Sequence, residues 1–247
     1  KGKLVINEST VAPGTTREVF GRLGATYLAC SPERIDPGNK EKTVSTIAKV
    51  VGGLDKDSLT ITKALYASVL SAPIVPVSTL ETAEMVKMLE NTYRAVNIAL
   101  VNEFARLSEK NGLDIVEIIE AATSKWSFHP HYPSLGVGGH CIPVDPWYLV
   151  EYGRQSRVSL PLIETGLREN EEMTSHVAKK LFSLYTKGMR VLLYGLTYKK
   201  DVKDIRESPA LRLAEMLRKK HVPFAAYDPL FKGQEIELYL GFKGISR

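Results

Sequence analysis

Residues 79–110 read TLETAEMVKMLENTYRAVNIALVNEFARLSEK, and their spacing decides how the middle of the chain folds. Val86, Leu89, Tyr93, Val96, Leu100, Phe104 and Leu107 recur at intervals of three or four throughout, which is the period of an α-helix. Ser78 with Glu81 fits a capping box at the start, and Asn111-Gly112 fits the stop. About thirty residues rising 1.5 Å each make a helix of roughly 45 Å. That exceeds what one small domain needs, so the helix bridges two domains or packs against a second subunit. A second helix follows at once: Asp114 caps it, Glu117 completes a box, and Ile115, Ile118 and Ile119 supply its buried face.

Upstream, short apolar runs alternate with helical stretches. Lys3–Ile6, Thr26–Cys30, Val44–Val51 and Ala72–Val77 read as strands, Thr15–Leu23 and Asp55–Leu70 as helices. Such alternation argues for a parallel α/β sheet. A Gly-x-Gly-x-x-Gly turn after a first strand, the usual phosphate-binding opening of that fold, is not found. Downstream the same grammar resumes: a strand over Met189–Tyr194 ends at Gly195, Ser208-Pro209 caps a helix to Lys220, and a strand over Val222–Tyr227 closes at Asp228. Ligands of open α/β sheets sit at the carboxyl ends of strands, which makes Gly195–Arg206 a candidate binding loop.

Composition narrows the class. The 247 residues are 44% apolar and 25% charged, ordinary globular usage. Two cysteines, Cys30 and Cys141, make no disulfide framework, so a reducing, cytoplasmic setting is expected. No run approaches the roughly 18 apolar residues of a membrane span. The net charge of +5 is mild, and the basic runs Lys199-Lys200 and Arg218-Lys219-Lys220 have acids nearby, which argues against a nucleic-acid surface.

The chemistry concentrates in Gly136-Val137-Gly138-Gly139-His140-Cys141-Ile142-Pro143-Val144-Asp145-Pro146. Its glycines let a backbone approach a ligand closely and offer N–H groups to an anion. Asp145-Pro146 reads as an N-cap and first helical residue, which puts Cys141 just before a helix N-terminus, where thiolate is favoured. His129, His131 and His140 do not have the spacing of a structural zinc site, so no metal is expected. Lys87 and Asn91, one helical turn apart, share a helix face offset from the apolar stripe; taken alone, they read as a solvated pair or as site residues. Thr10 and Glu33 each follow a strand, a position common to site residues and turn formers.

Together these segments resemble the nucleotide-sugar 6-dehydrogenase family. The resemblance rests on Glu8-Ser9-Thr10-Val11-Ala12-Pro13-Gly14-Thr15-Thr16, Ser31-Pro32-Glu33-Arg34-Ile35, Lys87 with Asn91, Gly138–Pro146, and Gly195-Leu196-Thr197-Tyr198-Lys199 with Asp204–Pro209. It implies an α/β fold in three segments. These are an incomplete N-terminal Rossmann-like NAD-binding domain (1–78), a central all-α domain with one long helix (79–186), and the start of a C-terminal Rossmann-like UDP-binding domain (187–247). It further implies a homodimer through the long helix 79–110, a UDP-sugar substrate and NAD as cofactor. The family oxidises a sugar C6 alcohol to a carboxylate in two steps.

The resemblance also gives residues their roles. Cys141 is the nucleophile; Lys87 and Asn91 stabilise the oxyanion; Asp145 organises water; Glu33 serves general-base or hydrolytic steps with Thr10 positioning water. Gly138, Gly139, His140, Arg206 and Lys199 meet the substrate, and Thr10, Glu33 and Arg206 the cofactor. Val144 stands where the glucose branch has Lys, and His140 precedes Cys141. This is similar to the N-acetylhexosamine branch, so UDP-N-acetylmannosamine leads, with UDP-N-acetylglucosamine and UDP-glucose as alternatives. Ser134-Leu135 replaces a frequent Gly-Pro pair, and Trp126–His129 differs from some members, which leaves the epimer open. Because the resemblance begins after the family's Gly-rich unit, the expectation is an internal fragment with little turnover of its own. The rival reading from another class is a non-catalytic dimerisation or nucleotide-binding module.

Overall fold

A computed structural model describes residues 2–39, 41, 43–241, 243 and 244, with the Tyr239 side chain outside the description. The chain folds as two compact units, Lys1–Tyr93 with Val144–Leu160, and Arg94–Pro143 with Pro161–Arg247. The long helix α2 (Leu80–Lys110) contributes residues to each. Among the described residues no helix is long and apolar enough to cross a membrane.

The first unit is built on a four-stranded sheet in the order β1 (Leu4–Asn7), β2 (Tyr27–Cys30), β3 (Lys49–Gly53), β4 (Ile74–Val77). The pairs β1–β2 and β3–β4 are parallel, as the alternation of elements implies, but β2–β3 is antiparallel, with Cys30 opposite Gly52. The reason is in the connection. Parallel neighbours need a crossover, usually a helix, and the described residues between β2 and β3 contain none. The expected strand over Val44–Val51 starts only at Lys49, because residues 44–46 turn, with the Thr46 hydroxyl accepting from the Thr43 amide at 2.9 Å. Leu28, Cys30, Val50, Leu80 and Ala83 form the core.

Helix α1 (Lys56–Val69) is capped by Asp55, whose carboxylate accepts from the Ser58 amide at 2.7 Å. The helix expected over Thr15–Leu23 is instead a short π-helical turn, Thr16–Phe20, and a 3-10 turn, Gly21–Leu23. The approach to it is fixed from α2: the fully buried Glu84 carboxylate accepts from the amides of Gly14 at 2.6 Å and Thr16 at 2.7 Å. At the start of α2 the Ser78–Glu81 box gives way to Thr79, whose hydroxyl accepts from the Thr82 amide. Glu81 turns instead to Arg17 at 2.6 Å. Helix α4 (Asp145–Gln155) completes the unit.

In the second unit α2 stops at a left-handed Gly112, as its sequence implies. Asp114 caps α3 (Ile115–Thr123) through the Val116 amide. Of its three isoleucines Ile119 is buried, whereas Ile118 is exposed. Residues 124–144 are irregular, as expected for so much Pro and Gly. Helix α5 (Pro161–Leu184) buries the polar Glu169, Asn170 and Thr174 beside Leu167, Met173 and Ala178. Asn102 of α2 donates to Asn170, Asn170 donates to the Ala95 carbonyl, and the Ser134 amide donates to Asn102. Parallel strands β5 (Val191–Tyr194) and β6 (Phe224–Tyr227) pack with α6 (Pro209–Lys219) and α7 (Gly233–Leu240) around Leu196, Leu213, Leu217 and Ile236.

Two amides, the buried one of Thr16 and the partly buried one of Gly14, depend on the Glu84 carboxylate, and each unsatisfied buried donor costs about 1–3 kcal/mol. Glu84→Ala is therefore expected to lower the unfolding free energy by about 2–4 kcal/mol in a denaturant titration. A change under about 0.5 kcal/mol, the range of ordinary surface substitutions, would contradict the pin.

Candidate functional site

Lys87 and Asn91 lie on the buried side of α2, which excludes the solvated-pair reading: Lys87 is only 9% exposed. Asn91 Nδ2 donates to Asp145 Oδ2 at 2.6 Å. Asp145 is not the N-cap of α4, as its sequence suggested. Val144 takes that position and Asp145 is the first helical residue. The residue is 3% exposed, and its carboxylate meets Asn91. A buried ammonium, a carboxamide and a carboxylate on the Lys87–Asn91–Asp145 side of the unit can stabilise a developing oxyanion and orient a water.

The loops after β1 and β2 leave the sheet at the carboxyl ends of those strands, where α/β folds bind ligands. The first carries Thr10, half-buried; the second carries Glu33. Glu33 Oε1 accepts from its neighbours' amides, Arg34 at 2.6 Å and Ile35 at 2.7 Å, and Oε2 faces Lys49 Nζ at 3.5 Å. The Glu33 amide in turn donates to the Glu8 carbonyl, tying the two loops together.

In the second unit the glycine run packs closely against the chain itself. A Cβ on Gly138 would lie 2.8 Å from the Glu207 carbonyl, Pro209 and Tyr198, and one on Gly139 would strike the Tyr198 ring. The Gly139 amide is spent on the Arg206 carbonyl at 3.0 Å. The close approach is thus to the chain's own 198–209 segment. It holds the 138–141 loop against the residues that begin α6 and leaves His140 and Cys141 exposed at its end. Glu207, whose carbonyl closes this contact, has a left-handed φ of 50°.

Arg206 is exposed and forked onto Asp204 at 2.6 Å. That bond holds the Asp204 carboxyl below its usual range, aided by the nearby His140, and raises the Arg206 guanidinium, which also senses Cys141. Lys199 is half-buried in the Gly195–Arg206 loop. The loop is anchored by Asp228, 1% exposed, which accepts from the Leu196 amide at 2.7 Å and the Thr197 amide at 3.2 Å. Asp228, Tyr198, Glu84 and Lys49 were not singled out as site residues. An acid directly after a strand was the available signal for Asp228; for the others the contacts are long-range. Among the described residues no cluster of His, Cys, Asp or Glu could hold a metal.

Comparison with known proteins settles the family. The NAD binding domain of the UDP-glucose/GDP-mannose dehydrogenase family matches residues 1–70, its central domain residues 81–172, and its UDP binding domain residues 192–246. The chain belongs to the UDP-glucose/GDP-mannose dehydrogenase family. Thr10 and Glu33 fall in the first of these matched segments, Lys87, Asn91, Cys141 and Asp145 in the second, Lys199 and Arg206 in the third. A UDP-N-acetyl-D-mannosamine dehydrogenase of Methanocaldococcus jannaschii is 38% identical over 231 residues, 92% of this chain and 53% of that protein. A UDP-N-acetyl-D-glucosamine 6-dehydrogenase of Pseudomonas aeruginosa is 35% identical over 95% of this chain and 59% of its own length. The solved UDP-D-ManNAc dehydrogenase of Pyrococcus horikoshii matches with a TM-score of 0.83 at 36% identity, covering 92% of this chain and 57% of that one. The chain thus spans little more than half the length of these relatives.

The chain's two thiols should behave differently. Burial pushes the Cys30 thiol up to about 12, the bond with Thr16 opposing and the charges of Glu84 and Glu81 adding. At pH 8 its thiolate fraction is on the order of 10⁻⁴. Iodoacetamide at pH 8 should label only Cys141 in the native chain, and Cys30 only after unfolding, by peptide mass mapping. Labelling of Cys30 at the same rate as Cys141 would contradict this assignment.

Proposed function

We propose that the chain carries the reacting residues of an NAD-dependent oxidation of the C6 alcohol of a UDP-N-acetylhexosamine to the uronic acid. UDP-N-acetylmannosamine is the lead substrate. The observation that carries the reading is the exposed Cys141, held out by the packed Gly138-Gly139 run beside Arg206, in a chain whose domains follow the dehydrogenase order. The names of the Methanocaldococcus jannaschii and Pyrococcus horikoshii relatives support the mannosamine substrate. The Pseudomonas aeruginosa relative supports UDP-N-acetylglucosamine as the alternative.

NAD is the cofactor of the family domain that residues 1–70 match. Thr10 and Glu33, polar and accessible at the carboxyl ends of β1 and β2, fit a dinucleotide approaching that edge, with Arg206 as a further contact. When bound, NAD supplies the hydride acceptor for both oxidations.

The protein's own residues do the rest. The Cys141 thiolate adds to the C6 aldehyde carbon; the C–S bond forms and the carbonyl electron pair moves to oxygen. Lys87 stabilises that oxyanion and supplies its proton, with Asn91 as a neutral donor. Oxidation of the resulting thiohemiacetal leaves a thioester on Cys141. Water then adds to the acyl carbon, the C–S bond breaks, and the carboxylate departs as thiolate is restored. Asp145, oriented by Asn91, organises that water, and Glu33 with Thr10 takes part in the hydrolytic step. Gly138, Gly139, His140, Lys199 and Arg206 present the UDP-sugar.

A homodimer through α2 belongs to the same proposal. Leu89, Tyr93, Leu100, Phe104 and Leu107 form one stripe along the helix, each at least half exposed, and apolar stripes of this kind mark association surfaces. We also propose that the 247 residues alone turn over little, given the share of each relative they span.

A chain extended to the length of its relatives should form NADH faster with UDP-N-acetylmannosamine than with UDP-glucose. Cys141→Ala should lower that rate by at least about a hundredfold, the usual scale for losing a reacting group. Undiminished NADH formation by Cys141→Ala would remove the nucleophile. Separately, the double substitution Leu100→Glu and Leu107→Glu should convert a dimer to a monomer in analytical ultracentrifugation, and an unchanged sedimentation coefficient would move the interface elsewhere.

A further inference from the structure

We infer that Lys49 is a positioning residue that clamps the loop carrying Thr10 to the loop carrying Glu33, an inference that rests on the site proposed above. The antiparallel β2–β3 pairing is what makes this possible. It brings the first residue of β3 to the edge where β1 and β2 end, so Lys49 meets Glu8, which follows β1, and Glu33, which follows β2. Its side chain is 4% exposed, yet its ammonium lies 2.8 Å from Glu8 Oε1 and 3.5 Å from Glu33 Oε2.

A buried ammonium is retained only when paired, and here it faces two carboxylates that are 50% and 41% exposed. Without the cation those carboxylates would repel each other across the two loops. The site is braced further from α1: the Tyr66 hydroxyl donates to Glu8 Oε1 at 2.5 Å, and the Tyr66 ring lies 5.3 Å from the ammonium. Burial raises the Glu8 carboxyl, but the bonds from Lys49 and Tyr66 and the Lys49 charge outweigh it and hold the group below its ordinary value. On the Glu33 side, Arg34 forks onto Glu90 at 2.6 and 3.2 Å and donates to the Ala48 carbonyl, the residue before Lys49. The clamp therefore sets where the remaining edge of the Glu33 carboxylate points, without itself touching the reacting atoms.

The test is amide hydrogen exchange, read by NMR on the 247-residue chain. The Arg34 and Ile35 amides, which donate to Glu33, should exchange about tenfold faster in Lys49→Met, a scale set by local opening. Lys49→Arg, which keeps the cation, should restore protection. The β2 amides of Leu28 and Ala29 serve as the control for folding. Unchanged exchange at Arg34 and Ile35 in Lys49→Met, or equal loss in Lys49→Arg, would overturn the clamp. Should Lys49→Met fail to fold, Glu8→Gln takes its place: faster exchange at Ile35 supports the clamp, and wild-type exchange there overturns it. In the extended chain, Lys49→Met should lower kcat for NADH formation more than it raises KM for the nucleotide sugar, and the reverse would overturn it. Absence of oxidation by the unmodified extended chain would strike the proposed function and leave the exchange result to decide the clamp.

Discussion

Helix α2 buries polar groups and leaves apolar ones in solvent, and much of the structure depends on how those buried groups are satisfied. Glu84, Lys87, Thr92, Asn102 and Ser108 lie inside, while Leu89, Tyr93, Leu100, Phe104 and Leu107 lie outside. Buried polar groups are costly unless hydrogen-bonded, and some of these helix residues meet that cost by fixing segments outside the helix. Glu84 fixes the loop after β1 through two amides. Asn91 fixes the Asp145 carboxylate. Asn102, within the second unit, fixes Asn170 and the Ser134 amide. One helix thus sets the positions of irregular segments that their own sequences leave undetermined. Leu80, Ala83, Met88, Ala95 and Ala99 are buried beside these polar residues, and the larger apolar side chains of the outer stripe stay exposed.

The same division of labour explains the two cysteines. Cys30 sits in the core beneath α2, and its thiol is suppressed by burial and neighbouring carboxylates. Cys141 stands at the end of a loop whose glycines are consumed in packing against Tyr198, Glu207 and Pro209. Rigid support behind the loop, with the thiol itself exposed, suits a nucleophile whose partner must approach from solution.

Much of this was legible in the sequence, for reasons that can be named. The 3.6-residue period gave α2 and its length, and cap residues placed α1, α3 and α6 to within a residue or two. The motif residues resembled the family whose domains match. Illegible were features set by distant contacts. Periodicity could not say which side of α2 is buried, because an apolar stripe is as suited to a partner chain as to a core. The Ser78–Glu81 box failed because Arg17, far away in sequence, took Glu81. Asp145 read as a cap because Asp before Pro usually is one, and its contact with Asn91 is long-range. The antiparallel β3, and with it the placement of Lys49, followed from a connection that lacks a helix among its described residues.

The central claim is covalent chemistry at Cys141, and the most direct measurement is peptide mass mapping of the extended chain, quenched in acid during turnover with NAD and UDP-N-acetylmannosamine. A thioester mechanism predicts one acyl group derived from the nucleotide sugar, attached to Cys141 and absent when NAD is withheld. Steady turnover with Cys141 unmodified, or with the acyl group on another residue, would contradict it.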